Sequence, residues 1–211
     1  MGNPTPSPGA FATLRGMARQ RELGETCDLC SEPIPEQHRH LLQLSSERVV
    51  CSCLPCSILF ADREAKHYRL IPSGVRFVPD FEMSDEIWAS FGVPVSMAFF
   101  QHSHPSGQVA AVYPSPAGPT RSLLTFDAWE ELEEANPVLR RMEPSVEALL
   151  VNRVGGARDH YLASIDECYR LVGLIRMGWR GLSGGTEVWR MITGFFADLD
   201  KRAETVSARD A

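Results

Sequence analysis

The feature that most constrains this chain is a set of two cysteine pairs with the same internal spacing. Cys27 and Cys30 enclose two residues, as do Cys53 and Cys56, and twenty-two residues separate the pairs. Two residues between thiolates let the backbone wrap into a knuckle, so that both sulfurs face one cation. Two knuckles supply the four-sulfur tetrahedral set that Zn²⁺ prefers. The sequence therefore predicts a metal site formed by these four cysteines.

The same four thiolates also indicate what the metal does. A catalytic zinc keeps one position open for water, whereas four thiolates fill the coordination shell, so we expect a structural zinc and no catalytic residue there. The alternative is a rubredoxin-like iron site that carries electrons. The knuckles of such sites usually have glycine after the second cysteine, where this chain has Ser31 and Ser57. This difference favours zinc.

Three further residues near the pairs are candidate ligands. Cys51 and Cys53 are two residues apart, which in a strand points both side chains to one face. Cys51 could therefore replace Cys53 or lie just outside the ligand shell, and His38 or His40 could supply a nitrogen ligand. The simpler interpretation is that Cys51 packs as a small apolar residue and that the histidines are solvated loop residues.

Hydrophobic patterning divides the chain into four predicted parts. Residues 1–24 form a flexible tail with a short helix, 25–66 the metal module, 67–204 an α+β body, and 205–211 a disordered tail. In the module a hairpin separates the knuckles and a helix follows Pro55, an order that resembles treble-clef zinc modules. In the body, β-rich runs flank His104–Gly107 and Gly155–Gly156 and predict two hairpins, and Ser84 is the predicted cap of a short helix. The spacing of the last predicted helix gives one apolar stripe, namely Val188, Ile192, Phe195, Phe196 and Leu199. Together these patterns predict a mostly antiparallel sheet covered by helices.

Composition excludes several partners. The formal charge is −6 and basic residues form no run, which argues against nucleic acid or an anionic membrane as the main partner. No apolar stretch approaches the length of roughly 18 residues that a membrane span needs. The N-terminal sequence lacks a secretory pattern, so we expect a cytoplasmic protein.

Outside the cysteines, the stretch RMGWRGLSGGTEVW is the most distinctive. Backbone N–H groups of Gly184 and Gly185, with Arg176 and Arg180 close by, could bind an anion and form the pocket of an enzyme. The simpler interpretation is a corner between two helices that needs glycine for positive φ. Cys168, with His160 nearby in sequence, is interpreted as a buried helix thiol rather than a nucleophile.

Long strings of this chain resemble an uncharacterised bacterial family whose genes are often found within nickel–iron hydrogenase gene clusters. The resemblance covers roughly residues 25–203 and is carried by CDLCSEPIPEQHRHLLQL, VVCSCLPCSILF, EALLVNRVGGARDHYLASIDECYRLVGLIR and WRGLSGGTEVW. It implies a role in assembling, metallating or partnering a hydrogenase, with hydrogenase subunits or maturation proteins as partners. Members of that family tend to have glycine where this chain has Ser31.

Overall fold

A computed structural model describes residues 24–61, 67–102, 107–115, 118–124, 126–181 and 184–210. It divides the chain into two compact units, residues 1–70 and 71–211. Apart from Gly24, the flexible tail and short helix predicted for residues 1–24 lie outside the described residues.

The first unit is built on a three-stranded antiparallel sheet in the order β2-β1-β3. Its elements are β1 (Arg39–Gln43), β2 (Arg48–Ser52), the helix α1 (Leu54–Phe60) and β3 (Tyr68–Leu70). The predicted hairpin is confirmed, since β1 pairs with β2 across a turn at residues 44–47. Leu41 and Val50 are buried opposite each other and give the hairpin its core face.

The second unit contains a seven-stranded sheet in the order β10-β4-β9-β8-β5-β6-β7. Its strands are β4 (Val75–Phe77), β5 (Met97–His102), β6 (Val109–Ser115), β7 (Gly118–Leu123), β8 (Glu147–Asn152), β9 (Asp159–Ser164) and β10 (Glu204–Thr205). Its helices are α2 (Asp85–Ser90), α3 (Phe126–Ala135), α4 (Ile165–Gly178) and α5 (Gly185–Arg202). Every strand pairing is antiparallel except that of β10 with β4. The predicted α+β class, with a mostly antiparallel sheet covered by helices, is confirmed.

Helices cover the sheet of the second unit on both faces, and all of β8 is buried as a result. Successive side chains of a strand point to opposite faces, so Leu150 packs with α4 and α5. Leu149 packs on the other face with α3 and the 3-10 turn Pro137–Arg141. The helix α5 presents to this core the stripe predicted from its spacing, namely Val188, Ile192, Phe195, Phe196 and Leu199.

Local capping explains where several helices begin. Ser84 and Ser164 precede α2 and α4, and the hydroxyl of each accepts a hydrogen bond from a backbone N–H of the first turn. The helix α5 begins after Gly184, whose φ of 85° favours glycine. None of the described helices combines the length and the apolar composition that a membrane crossing requires.

The prediction of a disordered tail at residues 205–211 is wrong for the part that the structure describes. Val206 donates its backbone N–H to the carbonyl oxygen of Phe77, extending the pairing of β10 with β4. The carboxylate of Asp80 then accepts hydrogen bonds from the Ser207 hydroxyl and from the Ala208 N–H, and Ala208 is fully buried. The sequence SARD lacks apolar periodicity, so only the packing against Asp80 reveals this order.

Candidate metal centre

The two cysteine pairs converge in the first unit. One sulfur from each of Cys27, Cys30, Cys53 and Cys56 lies within 4.8 Å of the other three, and the Sγ atoms of Cys30 and Cys53 are 3.6 Å apart. Four sulfurs at the usual zinc–sulfur distance of about 2.3 Å form a tetrahedron with edges of about 3.8 Å. None of the six cysteines, all of which lie in the described part of the chain, forms a disulfide bond. The spacing of the sulfurs therefore fits one tetrahedral cation.

A tight turn shapes the first knuckle. Ser31 donates its backbone N–H to the carbonyl oxygen of Cys27 at 2.8 Å, and Cys27 donates to the carbonyl oxygen of Glu32 at 2.8 Å. Ser31 has a φ of 63°, in the left-handed region that side chains other than glycine rarely adopt. The turn thus holds Cys27 and Cys30 together at the expense of backbone strain at Ser31.

Asp28 attaches the first knuckle to strand β2. Its backbone N–H donates to the carbonyl oxygen of Cys51 at 2.9 Å, and its carboxylate accepts the N–H of Cys51 at 2.7 Å. A guanidinium nitrogen of Arg48 lies 3.7 Å from the same carboxylate. Asp28 is not among the site residues predicted from the sequence, although its position between the two cysteines of a knuckle is a signal that could have identified it.

The second knuckle lies where β2 ends and α1 begins. Cys53 is the N-terminal cap of α1, and its sulfur accepts the backbone N–H of Cys56 at 3.5 Å. Pro55 occupies the first turn of α1, where backbone N–H groups have no acceptor within the helix, so the missing N–H of proline costs no helical hydrogen bond. Cys27 and Cys56 are buried, Cys53 is half-buried and Cys30 is exposed.

The pKa values of the Cys27 and Cys56 thiols are shifted in opposite directions. Burial, together with hydrogen bonds to the other three thiols, raises the pKa of Cys56. Burial also opposes ionisation of Cys27, but backbone N–H groups, that of Cys53 foremost, outweigh burial and lower its pKa to about 6. The Cys27 thiol thus ionises readily, whereas the Cys56 thiol keeps its proton. A divalent cation removes this conflict, because coordinated thiols lose their protons.

The three additional candidate ligands form a group of their own, although Cys51 also packs against the cluster of Cys27, Ile34 and Cys56. Cys51 forms a second group with His38 and His40, in which one ligand atom of each lies within 4.8 Å of the other two. The interpretation of the histidines as solvated loop residues is wrong for His38, whose side chain is only 6% exposed. Sequence spacing could not show this, because it does not reveal the contacts of the His38 Nδ1 atom with the Pro35 carbonyl oxygen and the Glu25 carboxylate.

The corner between α4 and α5 fits the simpler of its two interpretations. The backbone of Arg180 pairs with Gly184, and its guanidinium donates to the carbonyl oxygens of Met177 and Trp179. A Cβ added to Gly184 would lie 3.2 Å from the Trp179 ring, so side chains fill the space beside this glycine. Arg176 is exposed on α4, and Gly185 has a φ of 74°. The described part of the corner is a packed turn.

Cys168 and His160 do not form a pair. Cys168 is a residue of α4 and is buried in the core that α4 and α5 form with the sheet. His160 stacks on Phe81, a residue of the core on the opposite sheet face, with ring centroids 4.6 Å apart. Burial raises the pKa of the Cys168 thiol, which is the opposite of what a nucleophile needs.

The fold and the site define a class: an α+β protein with a candidate four-cysteine metal centre in its N-terminal unit. The chain belongs to a family of unknown function, DUF5947, whose sequence profile matches residues 26–203. The match includes all four cysteines and both sheets apart from the terminal strand β10. Neither a curated protein nor a solved structure matches the chain.

Proposed function

We propose that this chain is a cytoplasmic, zinc-stabilised accessory protein without catalytic activity, which assists the assembly, maturation or partnering of a nickel–iron hydrogenase. The observation that carries the metal-binding part is the convergence of four free cysteine sulfurs within 4.8 Å. Four protein ligands leave no coordination position for a substrate, which supports a structural role. The order of knuckle, hairpin, knuckle and helix supports a treble-clef-like module.

Zinc is the metal that we propose, with iron as the alternative. Cys56 lies in the first turn of the helix α1, and serine follows the second cysteine of each knuckle. Both features differ from the rubredoxin pattern. The test is elemental analysis and an absorption spectrum of the full chain purified without oxygen. Colourless protein containing zinc supports the proposal. Red protein containing one iron would instead favour an electron carrier.

A partner protein is supported by the surface of α1. Leu54, Ile58 and Leu59 are large apolar residues that are 56%, 66% and 73% exposed. Adjacent exposed apolar side chains of this size are typical of protein interfaces. The resemblance to the family encoded beside hydrogenase genes supports hydrogenase subunits or maturation proteins as the occupants of this surface.

Affinity purification from cells that express the hydrogenase tests the partner. We expect tagged wild-type chain to recover hydrogenase subunits or maturation proteins, identified by mass spectrometry, and Leu59→Glu to lose them. Leu123→Glu is the matched control, because Leu123 is 61% exposed but lies in the second unit. Equal recovery by wild-type chain and Leu59→Glu would contradict docking through α1. Absence of hydrogenase proteins from the wild-type sample would contradict the partner.

A further inference from the structure

We propose that His38, His40 and Cys51 form a second metal site, separate from the four cysteines, which binds a zinc-class divalent cation and leaves one position for an external ligand. One ligand atom of each residue lies within 4.8 Å of the other two. Zn²⁺ and other divalent first-row transition metal ions bind imidazole nitrogen and thiolate sulfur. The site goes beyond the proposed function and rests on it only because the same folded module carries both.

The hairpin register places the three residues together. His40 in β1 is directly opposite Cys51 in β2, and directly opposed side chains share one face with Cβ atoms about 4.5–5.5 Å apart. His38 is two residues before His40, and side chains at that spacing lie on the same face of an extended chain. The two imidazole rings meet edge to face with centroids 4.6 Å apart. Backbone pairing therefore preorganises the ligand set.

The imidazole of His38 has the hydrogen bonding of a metal ligand. Its Nδ1 lies 2.9 Å from the carbonyl oxygen of Pro35 and 3.4 Å from a carboxylate oxygen of Glu25. Both partners are acceptors, so Nδ1 carries a proton, and in the neutral imidazole the lone pair is then on Nε2. Histidines that bind metals almost always donate the other ring N–H to a carbonyl or carboxylate in this way.

The Nε2 atom of His38 lacks a hydrogen-bond partner among the described residues and is buried, as is the side chain as a whole, with 6% exposed. A buried acceptor without a partner destabilises the folded state. A cation shared with His40 and Cys51 would satisfy this atom. The unpaired nitrogen is thus an observation independent of the clustering that also indicates a ligand.

The second site differs from the four-cysteine site in its net charge and in having an open coordination position. Two neutral imidazoles and one thiolate leave a divalent cation with a net charge of +1, whereas four thiolates reverse its charge to −2. Three protein ligands also leave one tetrahedral position, which water, hydroxide or an external thiolate can occupy. We therefore expect the second site to exchange its metal faster than the first and to accept external ligands.

Zinc stoichiometry of the full chain tests the second site. After equilibrium dialysis against Zn²⁺, we expect two zinc ions per chain for the wild type and one for Cys51→Ser and for His38→Gln. His67→Gln, which changes an exposed histidine of the same unit, should retain two. Removal of a ligand should lower the affinity for the second zinc ion by at least about 100-fold, because loss of an outer-shell hydrogen-bond partner alone lowers metal affinity by up to about that factor. One zinc in the wild type, or two in Cys51→Ser, would overturn the proposal.

A second measurement does not depend on the folding of variants. In protein labelled with ¹⁵N-histidine, the second equivalent of Zn²⁺ should shift the Nε2 resonance of His38 while its Nδ1 keeps its proton. An unchanged Nε2 resonance would overturn the proposal. The proposed function fails differently, namely if Cys30→Ser keeps both its zinc content and its stability, so the two failures are distinguishable.

Discussion

Replacing Ser31 by glycine should stabilise the metal-bound module. Ser31 has a φ of 63°, and the left-handed region costs a residue with a side chain about 1–2 kcal/mol. Glycine relieves that strain but loses about 0.5–1 kcal/mol through its greater freedom in the unfolded chain. The bond that Ser31 makes to Cys27 comes from its backbone N–H, which glycine keeps. The net gain is about 0.5–1 kcal/mol.

Because metal binding and folding of such a module are coupled, the gain should appear as zinc affinity. A gain of this size corresponds to about two- to fivefold tighter binding, measured by competition with a coloured chelator. Ser45→Gly is the matched control, since Ser45 is an exposed turn serine with a negative φ and should weaken binding slightly. The reasoning is refuted if Ser31→Gly binds zinc no more tightly than Ser45→Gly.

Three other predictions concern the second unit. Burial and the charges of two nearby arginines lower the pKa of His160 to about 4. Below pH 6.5 the unfolded chain therefore takes up a proton that the folded chain refuses, so stability should fall by about 3 kcal/mol from pH 6.5 to 4. In urea titrations at a series of pH values, His160→Gln should reduce the dependence of the free energy of unfolding on pH. An unchanged dependence would contradict a lowered pKa of His160. Gly184→Ala should lower the free energy of unfolding by about 2–3 kcal/mol, whereas Gly185→Ala should lower it by about 1 kcal/mol. The larger loss is expected because a Cβ at Gly184 would also lie 2.8 Å from a Val188 methyl group. Equal losses in urea titrations would contradict the packed corner. Hydrogen bonds from the Ala208 N–H and the Ser207 hydroxyl lower the pKa of Asp80, so Asp80→Asn should destabilise the protein at neutral pH. That difference should vanish as acid protonates Asp80, and a difference independent of pH in thermal unfolding would count against the hydrogen bonds.

Much of the fold follows from local sequence signals. The β1–β2, β5–β6 and β8–β9 hairpins were predicted because alternating apolar residues flank short polar or glycine-containing turns. The capping role of Ser84 and the buried stripe of α5 depend on spacing within a few residues, and both are confirmed. These elements can be predicted because the residues that determine each of them lie close together along the chain.

The remaining features depend on contacts between distant residues. Asp80 orders the C-terminal residues across 127 and 128 positions, and Asp28 holds the first knuckle against β2 across 23 positions. Hydropathy alone does not reveal such polar contacts. The cysteine spacing did predict which four sulfurs converge, whereas the burial of His38 could not be predicted from its position in the sequence. Zinc ligation by the four cysteines and the hydrogenase partner stay predictions.

The most direct test of the central claim combines metal content with hydrogen exchange of the full chain. We expect removal of zinc by a chelator, or Cys30→Ser, to abolish protection of the amides in residues 27–56. Cys168→Ala is the control and should keep the metal and the protection. All four tryptophans lie in the second unit, so their fluorescence should stay unchanged and show that the body remains folded. Full protection of residues 27–56 in zinc-free protein or in Cys30→Ser would contradict a module that folds around a metal ion.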